Sequence, residues 1–483
     1  MIEWIKRHWV VAAAGAGVVA TWSACFIITF LRAHEGPDVE SLARFGQFGD
    51  TFGSINALFT GLALVGLVHT VLQQQKQIQQ QEADLQESRQ AFAREKRELF
   101  LTARLDAAVA LLHAHESRGR FSAEGDDYAK LNGMRETSLG EMHRKNGTPL
   151  ASWFGCALPE EFADWKREYG FLRETVGLID LNYRAYLKFT GPDRVRYLNA
   201  ILTNNIKDLK AGESVVSLFL SPQGHIQAEI ETIPWPGSLQ CVSFAMIRER
   251  LREGLEKYII MDDVALTDET ESWATVAVEG PKSAEVLEQI GVRAASLKSR
   301  QWTEFGTGAW LVRRDILGTE SFEFTMGREQ VAAVWNTLAE AAASAGGGPA
   351  GYRALNSVRL EQGIPWFGYD FGEKHIPHEA GLENSHISYT KGCYTGQEIV
   401  ERVRSRGQVN RVRVSLQFDG EAPEANTALA SEGKEVGYVT RTGFSPARTA
   451  NIGMGYVRRE KSREGTRLEA AKTGAQVIPT PIA

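Results

Sequence analysis

The sequence predicts an α+β fold for most of the chain, preceded by two transmembrane helices and a helical stalk. Two long apolar stretches near the amino terminus predict the membrane helices. Beyond Met134, short β-rich runs alternate with helical stretches, which is typical of an α+β body rather than a doubly wound sheet. With 483 residues, the chain is too long for one hydrophobic core and should divide into about three globular domains.

Residues 1–73 predict a membrane hairpin. Residues 9–31 carry no charge, and a helix of that length reaches roughly 34 Å, enough to cross a bilayer. Residues 55–72 form a second apolar run, which corresponds to about 27 Å of helix. A cleavable signal peptide would have a shorter apolar core and a small-residue cleavage site. We therefore interpret both runs as transmembrane helices.

The cations around this hairpin determine its expected orientation. Lys6 and Arg7 precede the first span, and several Lys and Arg residues between positions 76 and 97 follow the second. By the positive-inside rule, both ends face the cytoplasm. We therefore expect a protein of the inner (cytoplasmic) membrane whose body lies in the cytoplasm. If Met134 is instead the true start, the protein is soluble and cytoplasmic.

Residues 74–116 predict a helical stalk. Apolar residues recur every seven positions, at Val71, Ile78, Leu85, Phe92 and Leu99. The paired heptad positions are polar, so only half of a coiled-coil seam is present. This pattern predicts either a solvated helical spacer or a stalk with weak self-association. Residues 117–133, which are rich in Gly and Asp, predict a flexible linker.

The overall charge and the cysteine usage exclude several classes of function. Lys and Arg total 54 against 60 Asp and Glu, a net charge of −6, so no nucleic-acid partner is expected. The four cysteines, at positions 25, 156, 241 and 393, lack the spacing of metal ligands. Neither a zinc site nor a disulfide framework is predicted, and this usage fits a reducing compartment.

Several segments of the body have a clear secondary-structure pattern. Three β-rich runs predict strands at 214–220, 275–278 and 412–418. Three longer stretches predict helices at 159–175, 248–259 and 328–344. The run Gly346-Gly347-Gly348-Pro349 predicts a linker within the body.

The most unusual segment is 391–398, with the sequence KGCYTGQE. It places Cys393 between two glycines and near Lys391, and a neighbouring cation favours the thiolate over the thiol. The residues alone leave two interpretations open, a reactive cysteine or a structural cysteine in a Gly-rich turn. The octapeptide resembles the signature of the YgfZ-type folate-binding proteins, relatives of the T-protein (aminomethyltransferase) of the glycine cleavage system.

The resemblance to the T-protein superfamily extends over about residues 137–470. Motifs similar to those of the family follow in the expected order at 176–181 (VGLIDL), 189–193 (FTGPD), 202–205 (LTNN) and 221–229 (SPQGHIQAE). Glu229 matches a family Asp that lies near the reactive nitrogen of folate. It keeps the carboxylate and extends it by one methylene, whereas Ala228 replaces an acidic neighbour.

Two further motifs carry the expected folate contacts. The segment 317–323 (LGTESFE) resembles a turn whose last Glu hydrogen-bonds the pterin ring, which implies this role for Glu323. A carboxylate can accept two parallel N–H bonds from the pterin. In 354–361 (ALNSVRLE), Arg359 is preserved, either as a folate contact or as part of a helix ion pair. Leu355 stands where the family has an Arg that can pair with the glutamyl end of folate, and Asn356 replaces an Asp.

The resemblance implies a T-protein-like folate-binding body with a small C-terminal β-barrel and with tetrahydrofolate as its cofactor. Residues 134–268 and 269–393 would form two lobes around a central cavity, and 394–483 the barrel domain. The candidate catalytic residues are Cys393, Lys391 and Glu229. The candidate cofactor-binding residues are Glu323, Glu229, Tyr394, Gln397 and Arg359.

Three functional hypotheses follow. The first is a tetrahydrofolate-binding protein of the YgfZ type that acts in iron–sulfur protein assembly or repair through the Cys393 loop, with a client iron–sulfur protein as its partner. The alternative is a folate-dependent one-carbon transferase, either the aminomethyltransferase of glycine cleavage or a demethylase. In it, Glu229 would orient the folate nitrogen or assist proton transfer. The third is a membrane-anchored scaffold that no longer binds folate.

Overall fold

The structure, a computed structural model, describes Gln75 and residues 134–306, 308–407 and 409–481. Apart from Gln75, the predicted membrane hairpin, stalk and linker lie outside the described residues. Among the described residues, no helix is both long and apolar enough to cross a bilayer. Residues 134–481 fall within one compact unit that begins at Phe121.

The helices of the described part are mostly short. They are α1 (Gly140–Lys145), α2 (Trp165–Glu174), α3 (Arg194–Ile201), α4 (Arg248–Glu256), α5 (Ser283–Gln289), α6 (Val331–Ser344), α7 (Tyr352–Gln362), α8 (Pro377–Ala380), α9 (Glu383–His386) and α10 (Gln397–Arg406). The carboxylate of Asp164 accepts the Lys166 N–H and so caps the start of α2. Gly363, with a φ of 69°, ends α7 in the left-handed conformation that favours glycine.

The strands form a hairpin, two sheets and a barrel. They are β1 (Leu150–Trp153), β2 (Cys156–Pro159), β3 (Gly177–Asp180), β4 (Arg184–Thr190), β5 (Val215–Leu220), β6 (Ile226–Trp235), β7 (Ser238–Phe244), β8 (Ala265–Asp268), β9 (Trp273–Glu279), β10 (Trp302–Phe305), β11 (Ala309–Arg313), β12 (Ser321–Gly327), β13 (Gly348–Pro349), β14 (Arg411–Phe418), β15 (Ala428–Ser431), β16 (Lys434–Ser445), β17 (Ala450–Arg458), β18 (Arg467–Ala470) and β19 (Thr473–Ile478).

Most strands of each sheet are contiguous in sequence, and β3 is the main exception. The first sheet has the order β5-β6-β7-β4-β8, and the second has the order β10-β11-β12-β9-β3-β13. All neighbours are antiparallel except β3 and β13. The barrel closes in the order β14-β17-β16-β15-β18-β19. Strand β3 precedes the first sheet in sequence but belongs to the second, so the two sheets do not separate at a single point near residue 268.

The two sheets pack against each other through a small buried cluster. Tyr186, Ile233 and Val242 from the first sheet contact Trp310 and Val312 from the second. Each sheet also has its own core, and the core of the second sheet is completed by α6. This packing brings polar residues of β4, β6, β9 and β12 close together, and the candidate site lies there.

Helix α7 joins the lobes to the barrel. Asn356 donates to the carbonyl of Thr442 in β16 at 2.9 Å. Arg441, also in β16, forms a buried ion pair with Asp370 at 2.7 Å. Asn356, which stands where the resemblance leads us to expect Asp, is therefore a contact between α7 and the barrel.

The structure confirms the predicted fold class of the body and its C-terminal barrel. The six elements predicted in the body correspond to β5, β9, β14, α2, α4 and α6, with ends that differ by up to six residues. The predicted linker at 346–349 is wrong. Gly348 and Pro349 form β13, and a Cβ on Gly347 would lie 2.0 Å from the Val176 carbonyl oxygen. At position 347, glycine allows close packing rather than flexibility.

Candidate functional site

A cavity of about 340 Å³ lies where the two sheets, α7 and the barrel meet. Its volume is within the range typical of small-molecule sites. Tyr183, Phe244 and Trp366 give it flat aromatic walls, and Leu355 adds an apolar side chain. Its charged lining residues are Arg184, Glu229, Glu231, Glu279, Arg300, Arg314, Glu323, Arg359 and Arg413.

Strand β6 directs Glu229 into this cavity through the alternation of its side chains. Ile226, Ala228 and Ile230 are buried in the core of the first sheet, while Glu229 and Glu231 line the cavity. Successive side chains of a strand point to opposite faces, so this alternation places the carboxylates on the cavity side. The side chain of Glu229 is 27% exposed.

His386 holds the carboxylate of Glu229. The Nε2 atom of His386 lies 2.9 Å from Oε1 of Glu229, and Oγ of Ser385 lies 2.7 Å from the other ring nitrogen. Burial raises the pKa of Glu229, but the hydrogen bond and charge of His386, with the charges of Arg359 and Arg300, bring it below its usual value. Glu229 is therefore ionised at neutral pH and can accept a hydrogen bond or a proton.

Glu323 is held in a network of buried arginines. Its two carboxylate oxygens accept hydrogen bonds from Arg184, each at 2.6 Å, and Arg314 adds a third at 2.8 Å. Arg314 also forms a bidentate ion pair with Glu231. Burial raises the pKa of Glu323, but the two guanidinium groups lower it to about 2. The predicted pterin ligand thus lines the cavity with both oxygens already engaged.

Glu279 and Arg359 are the cavity residues with unsatisfied buried atoms. Oε2 of Glu279 and Nε of Arg359 are sealed from solvent and have no hydrogen-bond partner among the described residues. Arg359 donates from Nη2 to the Pro365 carbonyl at 2.9 Å and stacks on Trp366. It forms no ion pair within the described chain, so the prediction of a helix ion pair at Arg359 is wrong. Buried polar atoms of this kind often mark a ligand site.

Comparison with known proteins identifies the family. The model of the GCVT N-terminal domain matches residues 139–387, and that of the glycine cleavage T-protein C-terminal barrel domain matches residues 411–482. This chain belongs to the GCVT family. Strands β14–β19 form a closed barrel, in agreement with the match to the C-terminal barrel domain.

Relatives match over nearly their whole length. The aminomethyltransferase of Halothermothrix orenii is 26% identical over 348 residues, which cover 69% of this chain and 94% of the relative. The aminomethyltransferase of Rubrobacter xylanophilus is 28% identical over 358 residues, covering 72% and 94%. The fold is similar to that of glycine cleavage system aminomethyltransferase T from Bartonella henselae, with a TM-score of 0.66, 23% identity and coverage of 72% and 98%.

The octapeptide of this GCVT protein lies outside the cavity lining. The ammonium group of Lys391 donates to the carbonyls of Asn199, Leu202 and Asn204 at the end of α3. Burial lowers its pKa to about 8. Cys393 is exposed. Lys391 thus caps a helix end with its three donors, which is a structural role.

The remaining octapeptide residues hold α10 in place. Gln397 accepts the backbone N–H of Tyr394 at 3.2 Å at the start of α10. A Cβ on Gly396 would lie 2.7 Å from the carbonyl oxygen of Ser221, in the turn that leads into β6. The segment therefore packs against the hairpin that carries Glu229. Tyr394 and Gln397, predicted to bind the cofactor, do not line the cavity.

The structure brings three of the predicted site residues of this GCVT chain together, Glu229, Glu323 and Arg359. Sequence reasoning missed four others, His386, Arg184, Arg314 and Glu279. No motif drew attention to them, since each is a single polar residue in an ordinary context. One signal was available for Arg184 and Glu279. Each stands at the end of a buried apolar strand, where a charged side chain needs a partner or a site.

Proposed function

We propose that this protein is a tetrahydrofolate-dependent one-carbon transferase. The observation that carries the proposal is the ionised carboxylate of Glu229, held by His386 inside an aromatic-walled cavity. Membership of the GCVT family and the name aminomethyltransferase on relatives matched over more than nine-tenths of their length support it. Demethylation and aminomethyl transfer are both within this proposal.

The cavity residues fit tetrahydrofolate. The rings of Tyr183, Phe244 and Trp366 offer flat apolar surfaces for a bicyclic ring. Arg300 and Arg413 line the same cavity and form no ion pair with a carboxylate of the described chain. Guanidinium groups without a counter-ion favour an anionic ligand such as the glutamyl tail. They could therefore replace the contact that is lost at Leu355.

Bound tetrahydrofolate would supply the nitrogen that accepts the one-carbon unit. Glu229 would accept a hydrogen bond or a proton, since its lowered pKa keeps it ionised at neutral pH. His386 would keep the carboxylate oriented by donating Nε2–H to Oε1. The aromatic walls would exclude water and so strengthen these polar contacts.

The alternative YgfZ-type role in iron–sulfur protein assembly receives less support. Its chemistry would depend on Cys393 acting near bound folate, but this residue is exposed and does not line the cavity. Lys391, which would favour the thiolate, donates to backbone carbonyls instead. The relatives are aminomethyltransferases by name, which favours the transferase.

The proposal is tested with the purified full-length protein under anaerobic, reducing conditions. Tetrahydrofolate is supplied with an aminomethylated lipoyl carrier protein in one reaction and with small N-, O- and S-methyl donors in others. Mass spectrometry follows its conversion to the methylene or methyl form. Protein-dependent conversion in any reaction supports the proposal. A protein that binds no tetrahydrofolate, or that binds it and catalyses none of these transfers, contradicts it.

A further inference from the structure

Four glutamates line the cavity. Glu229 is assigned to the reacting nitrogen and Glu231 is paired with Arg314, so Glu279 and Glu323 are the two candidates for the N–H edge of a ring. They belong to neighbouring strands, since β9 pairs with β12. Three of the roughly four lone-pair positions of Glu323 are already used, because Arg184 engages both of its oxygens and Arg314 adds a third hydrogen bond. A ligand that needs two parallel hydrogen bonds to Glu323 must displace a bidentate guanidinium group from a buried site, where an unpaired charge is costly.

Glu279, unlike Glu323, has a buried carboxylate oxygen without a hydrogen-bond partner among the described residues. This oxygen is Oε2, and the residue is only 5% exposed and lines the cavity. Its surroundings raise its pKa to about 7, because burial and the charge of Glu323 outweigh the charges of Arg359 and Arg184. The hydroxyl group of its neighbour Ser321 lowers its pKa only in part. A buried carboxylate oxygen without a donor is unfavourable unless a ligand supplies one.

Arg359 lies close enough to Glu279 for its charge to affect that carboxyl group, yet no salt bridge joins them. Its Nε–H also has no acceptor among the described residues, although Nη2 is bound to Pro365. One residue with an unsatisfied acceptor and one with an unsatisfied donor thus both line the cavity. A ring edge with N–H donors beside a carbonyl oxygen would satisfy both.

We propose that Glu279 and Arg359, rather than Glu323, recognise the pterin edge of the folate cofactor in this protein. The inference rests on the proposed function. Glu279 would accept the ring N–H and the exocyclic amino group in two parallel hydrogen bonds. Arg359 would donate to the 4-oxo oxygen. Glu323 would instead neutralise Arg184 and Arg314 and so fix the shape of the cavity.

The test is an equilibrium titration of tetrahydrofolate into the full-length protein, followed by intrinsic fluorescence. Glu279→Gln should weaken binding at least tenfold, because the amide cannot accept two parallel N–H bonds. Ser321→Ala is the matched control, since Ser321 is the cross-strand neighbour of Glu279. If Glu279 served only to satisfy Ser321, the two substitutions would leave binding equally unchanged, and the inference would be overturned.

A second ligand tests the role of Arg359. The 4-amino analogue of tetrahydrofolate replaces the carbonyl acceptor by a donor and the ring N3–H by an unprotonated nitrogen, so it alters the contact to Arg359 and one of the two contacts to Glu279. The wild type should prefer the 4-oxo form at least tenfold, and Arg359→Met and Glu279→Gln should each lose part of this preference. Equal binding of the two forms by the wild type would overturn the assignment of Arg359. The apo protein gives an independent readout, since Glu279→Gln should raise its melting temperature by removing a buried ionisable group.

The outcomes separate the two proposals. A wild type that binds neither ligand overturns the proposed function, and this assignment with it. A wild type that binds tetrahydrofolate, together with a Glu279→Gln variant of unchanged affinity, overturns only this assignment and leaves the transferase standing.

Discussion

The imidazole of His386 donates from Nε2 to the carboxylate of Glu229 across 2.9 Å, although the two residues are 157 positions apart in the chain. His386 ends α9, directly before the segment that leads to the octapeptide, and Glu229 lies in the middle of β6. The hydrogen bond therefore ties the candidate catalytic carboxylate to the part of the chain that packs on its hairpin. The extra methylene of Glu relative to Asp lengthens the reach of this carboxylate.

Replacement of His386 by Ala should shift the pH dependence of transfer. His386 contributes a hydrogen bond and charge that lower the pKa of Glu229 against the effect of burial. Without it, the pKa of Glu229 should rise, and the acid limb of the rate–pH profile should move to higher pH. We expect a fall in kcat of about tenfold or more at pH 7, with a KM for tetrahydrofolate within a few-fold of the wild type. A uniform loss of rate with an unshifted profile would contradict this role.

Replacement of Glu323 by Gln should destabilise the protein by about 3 kcal/mol, because it leaves Arg184 and Arg314 without their shared counter-charge. Urea unfolding of the full-length protein measures the change. The exposed pair between Glu398 and Arg402 is the control, and Glu398→Gln should have no measurable effect. Equal effects of the two substitutions would show that the buried network does not stabilise the fold.

The same carboxylate predicts an acid limit to stability. The folded pKa of Glu323 is about 2, below the value of about 4.3 expected in the unfolded chain. A depressed folded pKa stabilises the protein above the unfolded value and loses this effect as the pH falls toward the folded value. The wild type should therefore lose stability relative to Glu323→Gln between about pH 4 and pH 2. Parallel pH profiles of the two proteins would be inconsistent with the network.

Glu279 should give stability a pH dependence opposite to that of Glu323. Its folded pKa of about 7 lies above the unfolded value, because burial and Glu323 outweigh the charges of Arg359 and Arg184. Stability of the apo protein should fall as the pH rises from about 4.5 to 7, where the unfolded chain has released the proton and the folded chain has not. Glu279→Gln should remove a penalty of up to about 3 kcal/mol at pH 8. Unfolding curves at pH 5 and pH 8 test this. A variant with the same pH dependence as the wild type would contradict it.

The octapeptide should matter for stability rather than for chemistry. Lys391→Met removes three hydrogen bonds to the carbonyls that follow α3 and should cost about 2 kcal/mol. Cys393→Ala changes an exposed side chain outside the cavity and should leave both stability and one-carbon transfer unchanged. Loss of function in Cys393→Ala with unchanged folate binding would favour the YgfZ-type role.

The sequence was sufficient to predict the fold class, the barrel and the position of Glu229 in the site. The alternation of β-rich and helical runs indicates the fold class, and the resemblance to the T-protein superfamily implies the barrel and the place of Glu229. The structural role of Gly346–Gly348 is harder to predict, because a glycine run has the same composition whether it forms a flexible linker or a closely packed segment. Only the contact of Gly347 with Val176 shows that close packing requires glycine at position 347.

The sequence could not show which carboxylates are already paired. Glu323 and Glu279 are both polar residues at strand ends, and their difference depends on Arg184, which comes from a distant strand. Ion pairs between residues 139 positions apart depend on the packing of two sheets, not on any local pattern. For the same reason, Lys391 was associated with its sequence neighbour Cys393 rather than with the end of α3.

The most direct test of the account is a comparison of binding and transfer in Glu229→Gln. The substitution keeps the size of the side chain and removes the charge that accepts the proton. The account predicts that tetrahydrofolate binds with an affinity within a few-fold of the wild type, while single-turnover one-carbon transfer slows by about 100-fold or more. Transfer at the wild-type rate with intact binding would contradict the catalytic role of Glu229 and, with it, the proposed mechanism.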